Sequence, residues 1–175
     1  MTTKTVAILL FPDVLMLDVA GPIEVFSVAN RYLPESDHYR IVTLGAESLS
    51  VRASNGIVMQ ADQLAVDAPV AYDTLLVPGG PGAYNERHPH LYGWLREAAQ
   101  ASRRHGAVCT GAFILGEAGL LDGHRVTTHW HYLDRLAKRF PKAQLETDLL
   151  FTKDGKLLSS GGVTAGIDLA LSILA

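Results

Sequence analysis

One sulfur nucleophile is available to this chain. Cys109 is its single cysteine and stands in Ala107-Val108-Cys109-Thr110-Gly111, where a β-prone run gives way to a helix-forming one. A nucleophile elbow is a sharp strand-to-helix turn whose strained backbone fits only between small neighbours. Ala107 and Gly111, two residues to either side, meet that need. A thiol at a helix N-terminus is surrounded by backbone N–H groups and the positive end of the dipole, which favour thiolate. The segment therefore predicts a reactive cysteine. The competing reading is a buried structural thiol, a common core residue.

Three further groups could complete a site around it. Val77-Pro78-Gly79-Gly80-Pro81-Gly82 follows an apolar run, and the N–H groups of Gly79 and Gly80, with that of Thr110, could form an anion pocket beside the thiol. Asp18, in Leu15-Met16-Leu17-Asp18-Val19-Ala20, lies among apolar neighbours and must be paired, hydrogen-bonded or protonated there. As a carboxylate it would raise the thiol pKa while the helix end lowers it. A proton shared over the Asp–Cys pair resolves that conflict, and the pair then titrates as a unit. Glu24 follows Gly21-Pro22, the expected helix start. His129, in Thr127-Thr128-His129-Trp130-His131, is a possible base, although a histidine after a β-branched pair more often serves structure. Thr110 can only orient or donate a hydrogen bond. The seven histidines show no metal-ligand spacing, so neither metal nor cofactor is expected, and GxxxxGK[ST] is absent.

The elements that must position these groups are legible as alternating apolar runs and amphipathic stretches. Strands are predicted at Thr5–Phe11, His38–Gly45, Asp73–Gly80 where the strand runs into a Gly/Pro loop, just before Cys109 and in HRVTTHW, with hairpins at Asn55-Gly56 and Asp154-Gly155. Helices are expected from Gly21-Pro22 with proline at the first helical position, over HLYGWLREAAQASRR with Leu91, Trp94, Leu95 and Ala98 inward, over HYLDRLAKRF, and over GVTAGIDLALSILA. The pattern is that of an α/β domain with a mostly parallel central sheet and helices on both faces. Hydrophobic residues make up 48% of the 175 and charged residues 19%, so a single packed domain over 1–175 is expected and disorder is not. The net charge of −3 supplies no field for non-specific nucleic-acid binding. No segment is long enough to span a membrane, and a soluble, cytoplasmic chain is predicted. The closing helix reaches Ala175 without a stop signal, which leads to the expectation that the gene product continues.

FPDVLMLDVAGPIEVFSVANR, DTLLVPGG, VCTGAFILGEAGLLDGHRVTTHW and SSGGVTAGIDLAL together resemble the ThiJ/PfpI superfamily, whose fold is flavodoxin-like, of the class I glutamine amidotransferase kind. Within it the chain is most similar to the effector domain of GlxA-like, AraC-type transcriptional regulators. That resemblance implies a homodimer that senses a small metabolite and touches DNA only through a C-terminal helix-turn-helix domain absent from these residues. In that role Gly79, Gly80, Gly21, Glu24 and His129 would line the ligand site. The same residues are similar to isocyanide hydratase, which implies Cys109 as nucleophile on the terminal isocyanide carbon, Asp18 as its proton partner and Thr110 as a hydrogen-bonding neighbour. Protease-like members carry histidine where Thr110 stands.

Overall fold

Lys4–Leu10 forms β1, whose last five residues are buried, as a central strand covered by helices on both faces requires. The computed structural model describes residues 3–174. After β1 come α1 (Met16–Ala29), β2 (Tyr39–Gly45), the hairpin strands β3 (Ser50–Arg52) and β4 (Val58–Gln60), β5 (Gln63–Leu64) and β6 (Thr74–Val77). The chain continues through α2 (Pro81–Tyr84), α3 (Pro89–Ala101), β7 (Arg104–Ala107), α4 (Ala112–Glu117), β8 (Arg125–Val126), α5 (Leu133–Arg139), β9 (Gln144–Leu145), β10 (Phe151–Asp154), β11 (Leu157–Ser160) and α6 (Ala165–Leu174). How α6 ends at Ala175 lies outside the described residues.

The main sheet has the order β10-β11-β7-β6-β1-β2-β5. All of its pairings are parallel except that of β10 with β11. From β1 the chain runs outward to β2, then crosses back to place β6 on the other side of β1. Such a reversal of strand order opens a crevice at the carboxyl ends of the strands. The segments leaving β1, β6 and β7 all emerge there, and they carry Asp18, the Gly79-Gly80 loop and Cys109.

α1 departs from expectation. It begins at Met16, so Gly21 and Pro22 lie inside it, and Asp18 stands in its first turn instead of ahead of it. An interior proline costs about 3 kcal/mol through the lost N–H and the clash with the preceding turn. Burial of Val19, Pro22 and Phe26 returns roughly 1.5–3 kcal/mol for each large apolar side chain, which outweighs it. α3 buries Leu91, Trp94, Leu95 and Ala98 as its spacing predicts. No helix among the described residues is long and apolar enough to cross a membrane.

Candidate functional site

Cys109 opens the turn 109–111 between β7 and α4 with φ 54°. This is the left-handed region, where a side chain with a Cβ is strained. The sulfur-bearing residue is 4% exposed, Thr110 2% and Asp18 1%. Asp18 Oδ2 accepts the Gly79 N–H at 3.0 Å. Oδ1 meets no N–H or hydroxyl donor among the described residues, and the Cys109 thiol is the hydrogen-bonding group beside the carboxyl.

Burial dominates the electrostatics of the pair. It pushes Asp18 up to about 7, against the Gly79 N–H and the Cys109 thiol, which hold it down. Burial first, and the Asp18 charge second, push Cys109 up to about 12, while the N–H and hydroxyl of Thr110 and the N–H of Val163 pull it down. Burial thus favours the protonated form of both groups, and the buried pair titrates as a unit. The thiolate expected from a helix N-terminus is therefore not what the site holds at neutral pH. α4 has only six residues, and a dipole contribution of about 0.3–1 kcal/mol is small against the desolvation of a buried anion.

The glycine loop is built to fit this pair. Gly80 N–H donates to Thr110 Oγ1 at 2.8 Å, so the amides of Gly79 and Gly80 are both occupied by protein oxygens and do not face an open anion pocket. Gly80 adopts φ 129°. A Cβ on Gly79 would lie 2.6 Å from Thr110 Oγ1, 2.7 Å from Thr110 N and 2.8 Å from Asp18 Oδ2. Gly79→Ala is accordingly expected to destabilise the fold by about 2–3 kcal/mol through overpacking, read as a lowered urea midpoint. Retention of the wild-type midpoint would show that the loop and carboxyl can separate without loss.

His129 is not among the groups that bear on the protonation of the thiol. Its Nδ1 accepts the His131 N–H at 3.1 Å, and burial followed by the His131 charge lowers its pKa. It stands beside a cavity of about 360 Å³ lined by Thr128, Trp130, Leu150, Gly162 and Val163, among others. Gly21 packs on Ile167 of α6. Glu24 is exposed on α1, and six residues of helix turn it about 600° from Asp18, so neither joins the thiol. Sequence reasoning overlooked Thr128, whose Oγ1 donates to the Cys109 carbonyl at 2.7 Å, and Val163, whose N–H reaches the sulfur. It also overlooked His88, 1% exposed, which holds Glu47 Oε1 at 2.8 Å and the Gly82 carbonyl at 3.0 Å. The signal for Val163 was the Gly161-Gly162 pair ahead of it; for Thr128 and His88 the spacing carried none.

Residues 4–175 match the model of the DJ-1/PfpI family. The HTH-type transcriptional regulator CdhR of Pseudomonas aeruginosa is 36% identical over 167 residues, covering 95% of this chain and 48% of that protein. Isonitrile hydratase of Pseudomonas putida is 34% identical, with 96% of this chain and 69% of that protein covered. Among solved structures, a THiJ/PfpI family protein from Pseudomonas syringae superposes with a TM-score of 0.84 at 27% identity, over 100% of this chain and 69% of that one. The chain spans about half the length of the HTH-type regulators it matches.

Proposed function

We propose that this chain, which belongs to the DJ-1/PfpI family, is the small-molecule-sensing domain of an AraC-type transcriptional regulator, its ligand held beside Cys109 at a nucleophile elbow. The observation that carries this reading is the state of the thiol. A sulfur that is 4% exposed and protonated well above neutral pH is a poor nucleophile, because the thiolate is the reactive form. The sulfur lies behind Val163, whose N–H reaches it and which lines the cavity beside His129. The alignment with HTH-type regulators along nearly the whole of this chain supports the same reading, and the polar and apolar lining of the cavity beside His129 suits a small metabolite.

The regulator reading brings a homodimer with it, and DNA contact through a separate helix-turn-helix part. What supports a second copy as the partner is the outward face of α1 and α6. There Leu17 is 46%, Val28 37% and Leu171 50% exposed around an apolar groove of about 540 Å³, and contiguous apolar surface of this kind marks an interface.

A panel of small polar metabolites, scored by protection of Cys109 from iodoacetamide, tests the reading. At least one compound is expected to slow alkylation; a panel in which none does would sink it. The second reading, a cysteine-dependent hydratase, is favoured by Asp18, which stands where it can take the thiol proton, and by the similarity to isonitrile hydratase. Incubation with a simple alkyl isocyanide separates the two. The sensing reading expects no formamide above the level of a Cys109→Ala control, whereas clear turnover establishes the hydratase.

A further inference from the structure

A chain of buried hydroxyls runs from the edge of the sheet to the strained turn. Thr152 on β10 and Ser159 on β11 share a short hydroxyl–hydroxyl hydrogen bond. Ser159 Oγ accepts the Thr127 N–H at 2.8 Å, and Thr128 Oγ1 donates to the Cys109 carbonyl at 2.7 Å. Thr127, Thr128 and Thr152 are each 2% exposed and Ser159 1%. Each of the hydroxyls of Thr128, Ser159 and Thr152 has a hydrogen-bond partner, so their burial carries no desolvation penalty of an unpaired group, and the one on Thr128 goes to the Cys109 carbonyl.

The structure assigns to Thr128 a role as positioning residue for the thiol: its hydroxyl holds the Cys109 peptide in the left-handed conformation that keeps the sulfur between Asp18 and the Val163 N–H. The next residue, His129, supports the loop after β11. The His129 ring packs on Gly162, where a Cβ would lie 2.4 Å from His129 Cδ2, and so supports the loop that carries Val163. Thr127 is anchored to Ser159, so Thr128 enters the site from a fixed point. The left-handed Cys109 backbone needs such an outside hold, because a strained residue persists only when its surroundings over-determine it. Asp18 is the charged group that faces the sulfur, and the Tyr84 phenol on α2, pushed up to about 12 chiefly by burial, is the titratable group that interacts with it from another element. This inference goes beyond the sensing role and does not depend on which ligand the pocket takes.

The test is the pH dependence of Cys109 alkylation by iodoacetamide, alongside circular dichroism. With Thr128→Val the turn relaxes, and the sulfur moves toward water and away from Asp18. The midpoint of the profile is then expected to fall by at least about one pH unit, and alkylation at pH 8 to rise roughly tenfold. Thr128→Ser retains the hydroxyl and is expected to keep the wild-type profile. Should Thr128→Val fail to fold, Ser159→Ala provides the second measurement, with a smaller displacement in the same direction. A folded Thr128→Val with the wild-type profile overturns the assignment. So does a Thr128→Ser that behaves as the valine variant, or a Ser159→Ala that loses stability with no displacement of the profile.

Discussion

Replacing Asp18 by Asn is expected to make the protein more stable at pH 8, by about 4 kcal/mol. In the folded chain burial holds the Asp18 pKa at about 7, against 3.8 for the free side chain. Between those values the native state binds a proton that the unfolded state has released, so stability falls as pH rises through the window. The contribution is complete below the unfolded value and lost above the folded one. A difference of about three pH units corresponds to about 4 kcal/mol at 25 °C. Asparagine has nearly the same shape, can still accept the Gly79 N–H through its carbonyl oxygen, and cannot ionise. The advantage of Asp18→Asn should therefore be small near pH 4, grow to pH 7 and level off above it. Urea unfolding of both proteins from pH 4.5 to 8.5 reads this directly, and a gap independent of pH would rule out ionisation of Asp18 as its cause. The carboxylate is thus kept at the expense of stability. That is the usual sign of a group retained for what it does to its neighbour, here the sulfur.

His105 gives the opposite slope over much of the same range. It lies in β7 between Leu75 and Leu157 of the adjoining strands, is 9% exposed, and its Nδ1 has no partner among the described residues. Burial first, then the charges of His124 and Lys156, lower its pKa from 6.5 to about 4. Between these values the unfolded chain binds a proton that the native state refuses, so stability is present above 6.5 and is lost as pH falls toward 4. His105→Leu is expected to remove that loss. Relative to its effect at pH 7.5, the variant should gain about 3 kcal/mol near pH 4, seen as a flatter acid limb in a plot of unfolding free energy against pH. If wild type and variant share the same acid limb, His105 is not the group that fails to protonate. Because the two slopes oppose each other and largely cancel between pH 4 and 7 in the wild-type protein, the double variant is expected to keep a pH dependence close to that of wild type, while each single variant departs from it in the opposite direction.

Most of the architecture was legible because it is written in the period of apolar residues. Thr5–Phe11 and Asp73–Val77 read as buried strands, and Leu91, Trp94, Leu95 and Ala98 as one buried helix face. The small residues around Cys109 marked the strand-to-helix turn. What misled was local preference overridden by packing. Proline favours the first turn of a helix, so Gly21-Pro22 looked like a beginning, yet the burial of Val19 and Phe26 carries the helix back to Met16. The protonation of the sulfur was illegible for a related reason. Desolvation depends on how completely three distant segments close over it, and no spacing along the chain reports that. Likewise the Thr128 hydroxyl meets the Cys109 carbonyl across 19 positions, and His88 meets Glu47 across 41. Such pairings belong to the order of the strands, and the second becomes visible only once the crossover from β5 to β6 has been made.

That crossover has a practical result. Because the walls around the sulfur come from the loops after β1, β6, β7 and β11, its access to solvent is set jointly by four segments that are distant along the chain. The chain carries a single cysteine, so its labelling rate under native conditions supplies a built-in gauge of how tightly those loops close, without an introduced dye or tag.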